Sequence, residues 1–168
     1  MDGAVGLGSS EMDLPPEQAA RRRWMSVLAR ASAAELETAV GAVRGALGGL
    51  PLYRLIRRPE VGMTMVRARA GGTGQPFNLG EMTITRCALR TEGGQVGTAY
   101  VAGRSMRQAE LAALIDALLQ DPARQPQLLA LVVDPLAQAQ DLRRRRRIAR
   151  SAPTRVDFFT VVRGEDRT

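Results

Sequence analysis

The amino-acid sequence predicts an α+β fold: an antiparallel four-stranded sheet with two N-terminal and two C-terminal helices and a short terminal apolar strand. Three observations predict it. Apolar residues recur at helical spacing from Pro16 to Leu47 and again from Leu111 onward. Between these regions the texture changes to short segments rich in β-branched residues and separated by Gly. Tight turns between such segments pair neighbours antiparallel, which leaves the helices one face of the sheet to cover.

Residues 1–16 are Gly- and acid-rich without periodicity and are expected to be a flexible tail, with residues 17–168 forming a single α+β domain. The first helix is expected to begin near Pro16. Ala20, Trp24, Val27, Leu28 and Ala31 make its apolar stripe, and Arg21, Arg22, Arg23 and Arg30 cover much of the remainder. Ser32 followed by Glu35 has the spacing of a capping box for a second helix, whose apolar face runs through Leu36, Val40, Val43 and Leu47. Gly48 and Gly49 end it, with Pro51 just beyond.

Four strands are expected, at Leu52 to Arg58, Met63 to Ala70, Met82 to Arg90 and Gln95 to Ala102. Pro59-Glu60 with Gly62 reads as a turn, and Glu92-Gly93-Gly94 reads as a hairpin turn. The apolar alternation changes phase between Ile84 and Cys87, which suggests a bulge. Ser105 is a plausible N-cap for a helix buried along Leu111, Leu114, Ile115 and Leu118, ending near Asp121-Pro122. A last helix is expected from about Pro135 to Arg150, after looser structure. The segment Val156 to Val162, which holds two of three Phe, is expected to supply the terminal strand or else a docking segment that folds against a partner.

Composition removes several classes of chemistry. The net charge is +7, and all 24 basic residues are Arg. Guanidinium stays charged and grips carboxylate or phosphate through two parallel hydrogen bonds, so anionic partners are expected. Without His, the commonest general base and metal ligand is missing. Without Lys, neither a P-loop lysine nor a Schiff base can form. Cys87 is the sole thiol, so the chain makes no disulfide framework or thiolate zinc site within itself. The first sixteen residues lack the pattern of a signal peptide, and no stretch approaches the roughly 18–20 apolar residues of a membrane span, so a cytoplasmic location with no membrane partner is expected.

Few residues remain as site candidates. The loop Gly71-Gly72-Thr73-Gly74 would expose backbone N–H groups to a phosphate, with Arg67, Arg69 and Arg86 nearby in sequence. It matches neither the P-loop nor the dinucleotide fingerprint, and it reads first as a tight connection needing positive φ and second as a phosphate contact. The run Arg143 to Arg147 is read first as a solvated helix face, then as a dock for acidic protein, and last as an Arg-rich nucleic-acid-binding module. No aromatic side chains interleave with it for base stacking. Glu110 and Asp116 stand six residues apart on one helix, too far around its axis for an acid/base pair. Asp116, opposite the apolar stripe, is expected to be solvent-exposed or ion-paired to a partner. Trp24 is either a core residue or an interface anchor. Cys87 is expected to be a buried small apolar residue. No catalytic or metal-ligating residue emerges.

The ordered set of motifs resembles the PhnG family of the bacterial carbon–phosphorus lyase system. The resemblance starts at Arg21 and Trp24-Met25-Ser26-Val27-Leu28-Ala29 and runs through Arg69, Gly71-Gly72-Thr73-Gly74, Phe77, Gly80 and Thr83-Ile84-Thr85-Arg86. It continues with Gly94, Gly97, Val101, Gly103-Arg104, Ala109-Glu110 and Ala113 to Leu118, and closes with Arg155 to Thr160 and Arg163-Gly164. The Gly-rich tail and the Arg143 to Arg147 run depart from the family pattern. The resemblance implies a subunit that assembles with PhnH, PhnI, PhnJ and PhnL-like proteins. With PhnI, PhnH and PhnL that subunit would support transfer of a phosphonate onto the ribose of MgATP with displacement of adenine, giving a ribose 1-phosphonate 5-triphosphate in organic phosphonate catabolism. The resemblance places catalysis of that transfer on PhnI and later bond cleavage on the iron–sulfur subunit PhnJ. It implies no cofactor bound by this chain alone, MgATP being the substrate of the complex, and it carries no catalytic residue onto this sequence. A stand-alone phosphotransferase is the remaining alternative.

Overall fold

A computed structural model describes residues 15–69 and 74–151. The expected tail before Pro15 and the expected terminal strand at Val156 to Val162 lie outside these residues, as do Gly71, Gly72 and Thr73. Helix α1 spans Pro16–Arg30 and α2 spans Ala33–Leu47. They are followed by β1 (Tyr53–Arg69), β2 (Pro76–Thr91), β3 (Val96–Ala102) and α3 (Met106–Leu118). Short α4 (Gln125–Leu128), a π-helical turn (Leu129–Val133) and α5 (Asp134–Ser151) complete the described chain without a break between them.

The sheet has three strands, not the expected four, in the order β1-β2-β3, all antiparallel. The segments read as two strands around Pro59-Glu60 are one long strand. Proline cannot donate a ladder hydrogen bond, but β1 is an edge strand, where the missing donor costs little. The ladder shifts register between Arg57 and Glu60, so the irregularity is absorbed within the strand and the chain runs on. The expected bulge between Ile84 and Cys87 is also corrected. β2 pairs with β3 in unbroken register from Ile84 to Arg90, and the extra residues lie across from it, in β1. The apolar alternation misled because a polar residue faces inward: Thr85 is buried, its hydroxyl donating to Gly103 O at 2.7 Å.

Local signals place the helices well. The Ser32 hydroxyl accepts from Glu35 N–H at 3.3 Å, and the Glu35 carboxylate accepts from Ser32 N–H at 2.8 Å, completing the capping box. Gly48 ends α2 in the left-handed region at φ 67°. The Ser105 side chain accepts from Gln108 N–H to start α3. Helical structure after α3 begins about ten residues before the expected Pro135. Proline at that point lacks an N–H and crowds the preceding turn. The helix responds by widening: Asp134 N–H reaches back five residues to Leu129 O.

All helical packing is on one face of the sheet. Leu89, Cys87, Ala99 and Val101 project from β2 and β3 into a core shared with Trp24, Val27 and Leu28 of α1 and Leu36, Val40 and Val43 of α2. At its centre lies α3, in which residues from Leu111 to Leu118 are all buried. A helix apolar nearly all round is enclosed on every side. Gly97 is the point of closest approach, since a Cβ there would collide with the carbonyl oxygen of Ala113 and come within 2.8 Å of Ala117 Cβ.

Candidate functional site

Asp116 is the most heavily engaged polar residue in the described structure. Its side chain is 1% exposed, which overturns the expectation of solvent exposure or pairing to a partner. Because α3 is wrapped on every side, the position opposite its apolar stripe faces α1 and the edge of β3. Asp116 Oδ1 accepts from Arg21 Nε at 3.2 Å and from Trp24 Nε1 at 2.8 Å. Oδ2 accepts from Arg21 Nη2 at 2.8 Å and Thr98 N–H at 2.9 Å. Gln120 Nε2 and Arg21 Nη2 both donate to Val96 O, at 2.8 and 3.3 Å. These side chains thereby satisfy outward-facing backbone groups of edge strand β3, tying α1, α3 and the sheet together. Bidentate Arg with two further donors leaves the carboxylate no lone pair directed at a substrate. Trp24, left open between core and interface, belongs to the core.

The remaining ionisable candidates are also held. Tyr53 Oη donates to Glu110 Oε1 at 2.7 Å. Burial, followed by the neighbouring Glu110 carboxylate, pushes the Tyr53 phenol up to about 12. Cys87 is buried as expected, and burial raises its thiol to about 11, far from a reactive thiolate at neutral pH. Glu110 and Asp116 share no contact, in keeping with their spacing. Among the described residues no group of three or more His, Cys, Asp or Glu could hold a metal ion.

Arg69 and Gly74 meet at the far end of the β1–β2 ribbon, where Arg69 Nη1 donates to Gly74 O at 3.3 Å. Arg86 is not beside them. It pairs in register with Glu60, nine residues from Arg69 along β1, or about 30 Å at about 3.3 Å per residue. There Arg86 Nε and Arg57 Nη1 both donate to Glu60 Oε1, at 2.6 and 2.7 Å. The hydrogen bond from Arg86 is the largest cause holding the Glu60 carboxyl below its ordinary range.

The Arg run is exposed along α5, and Arg143 Nη1 donates to Glu35 Oε1 at 2.6 Å, linking α5 to the α2 cap. That bond is the first cause lowering the Glu35 carboxyl. Sequence reasoning missed a hollow of about 610 Å³ between α5 and the end of α1, lined in part by Arg30, Arg143, Arg144 and Arg147. Gln140 Nε2 donates there to Val27 O at 2.9 Å, while its Oε1 is buried without a protein partner. No signal in the sequence joins Arg30 to residues more than a hundred positions away.

The described site is therefore an electropositive surface on a scaffold whose buried acid is committed to structure. It is the form of a subunit that presents surfaces. The family model for phosphonate metabolism protein PhnG matches residues 19–164. The chain is similar to the alpha-D-ribose 1-methylphosphonate 5-triphosphate synthase subunit PhnG of Rhizobium meliloti (strain 1021), at 43% identity over 148 residues, covering 88% of this chain and 92% of that protein. The chain belongs to the PhnG family of phosphonate metabolism proteins.

Proposed function

We propose that this chain is a subunit of an alpha-D-ribose 1-methylphosphonate 5-triphosphate synthase in organic phosphonate catabolism. The observation that carries this reading is the 43% identity to a protein of that name across nearly the whole of both chains. The complex joins a phosphonate oxygen to C1′ of MgATP ribose as the bond to adenine breaks. The reactive groups of that transfer come from a PhnI-like subunit, with PhnH-, PhnJ- and PhnL-like subunits as further partners in the cytoplasm, and this chain binds no cofactor alone. The commitment of Asp116 to structure and the burial of Cys87 support an accessory role. The loop at Gly71-Gly72-Thr73-Gly74 with Arg69 remains the phosphate-contact candidate. Arg86 would act there only through the ribbon that carries both.

The test is adenine release from MgATP and methylphosphonate. The purified chain alone is expected to release none, the full set of subunits to release it, and the set lacking this chain to lose that activity. Turnover by the chain alone would refute the accessory role.

A further inference from the structure

β3 ends at Ala102, opposite Ile84, so beyond that level the sheet narrows to β1 and β2 alone. Residues 63–69 and 76–83 continue the ladder as a two-stranded ribbon, about 25 Å long at about 3.3 Å per residue. A two-stranded ribbon is marginal in water unless something covers it.

The side chains say that this one is built to be covered. Buried Thr85, Cys87 and Leu89 define the face of β2 that meets the helices. Register places Val61 opposite Thr85, Met63 opposite Thr83 and Met65 opposite Glu81, so Met63 and Met65 continue that face beyond the last residue of β3, next to Val61. Met63 is 65% exposed, and Phe77, Leu79 and Met82 add further exposed apolar surface. Met82, paired with Thr64, lies on the other face from Met63, so exposed apolar side chains gather on both faces of one ribbon, a concentration that marks an interaction site. Methionine, unbranched and polarizable, suits a contact surface that adapts to its partner. Arg67 on the ribbon and Arg58 just before it on β1 have no ion-pair partner among the described residues, although Arg57 and Arg86 share Glu60.

Resting on the reading of this chain as an assembly subunit, we propose that the ribbon is its docking arm. Its occupant is a different subunit of the same synthase, one presenting an apolar surface edged by carboxylates. A second copy of this chain fits poorly, since each copy brings Arg58 and Arg67, without ion-pair partners among the described residues, and a net charge of +7.

The experiment co-expresses the tagged full chain with the other subunits of the synthase. Met63→Thr with Met65→Lys removes the apolar stripe but keeps residues compatible with a strand beside Thr83 and Glu81. The wild-type chain is expected to retrieve at least one other subunit, and the double variant to retrieve about tenfold less or lower still. Far-UV circular dichroism and melting temperature of the double variant should match wild type. Leu79→Thr, on the opposite strand, is an independent second variant expected to weaken retrieval several-fold. Leu142→Lys, on the exposed part of α5, should retrieve as wild type does. Undiminished retrieval by both folded ribbon variants overturns the proposal. So does a wild-type chain that alone sediments as a dimer which the double variant converts to monomer. If the wild-type chain retrieves nothing, the reading as an assembly subunit fails first, and the arm fails with it.

Discussion

At the scale of single residues, the two least substitutable positions are Asp116 and Gly97, for opposite reasons. Asp116→Ala would leave the Trp24 indole N–H and Thr98 N–H without their acceptor, while the Arg21 guanidinium, 35% exposed, could still turn to water. The cost is therefore expected at about 3 kcal/mol, the low end for breaking a buried pair. An unfolding free energy lowered by less than a third of that would show that water replaces the carboxylate. Gly97→Ala adds a methyl group where the backbone of α3 lies against β3, and neither side is a flexible side-chain tip that could yield. Overpacking of this kind costs about 2 kcal/mol or more, measured by the same unfolding curve. Asp116 was the least legible residue in the sequence. Its neighbours on α3 define a stripe, but the burial of the opposite side depends on Arg21 and Trp24, more than ninety positions earlier.

At the scale of elements, the start of α2 combines a local device with a distant one. Ser32 and Glu35 cap each other, and Arg143 of α5 holds the same carboxylate. The Glu35 carboxyl is lowered from its ordinary 4.5. A depressed acid contributes stability that is fully present above its unfolded value and is lost as pH falls through its folded value. The melting gap between wild type and Glu35→Gln is therefore expected to be open near neutral pH and to close as the solution is acidified below about 4.5. A gap independent of pH would show that the charge on Glu35 is immaterial. Ser32→Ala should cost about 1 kcal/mol, read from thermal unfolding. The capping box was legible because both partners lie within four residues. The edge position of β1 was not, and that position is what lets Pro59 sit inside a strand where the sequence suggested a turn. Likewise the hydroxyl of Thr85 hid an inward-facing position from any reading based on hydropathy.

For the whole molecule, the division is between a helix-covered body and a bare ribbon. Limited trypsin digestion of the isolated chain is expected to cut after Arg58, Arg67 and Arg69 before it cuts within α3. The assembled chain should be spared at those sites, because a strand covered by a partner cannot enter a protease cleft. Equal cleavage in both states would place the ribbon outside any interface. The α+β class and the order of helices around the sheet were readable from periodicity. What the ribbon does was not, because apolar alternation looks the same whether the covering layer belongs to this chain or to another. Arg30 and the α5 arginines converge on one hollow for the same reason: tertiary folding, not spacing, brings them together.

The chain's single indole is tethered to the carboxylate at the junction of α1, α3 and β3. Emission excited beyond the absorption of Tyr53 and Tyr100 is thus emission from one joint. Any event that pries α1 from α3 will redden that light, while events confined to the ribbon leave it unchanged. The molecule carries its own label for telling loosening of the body apart from engagement of the arm.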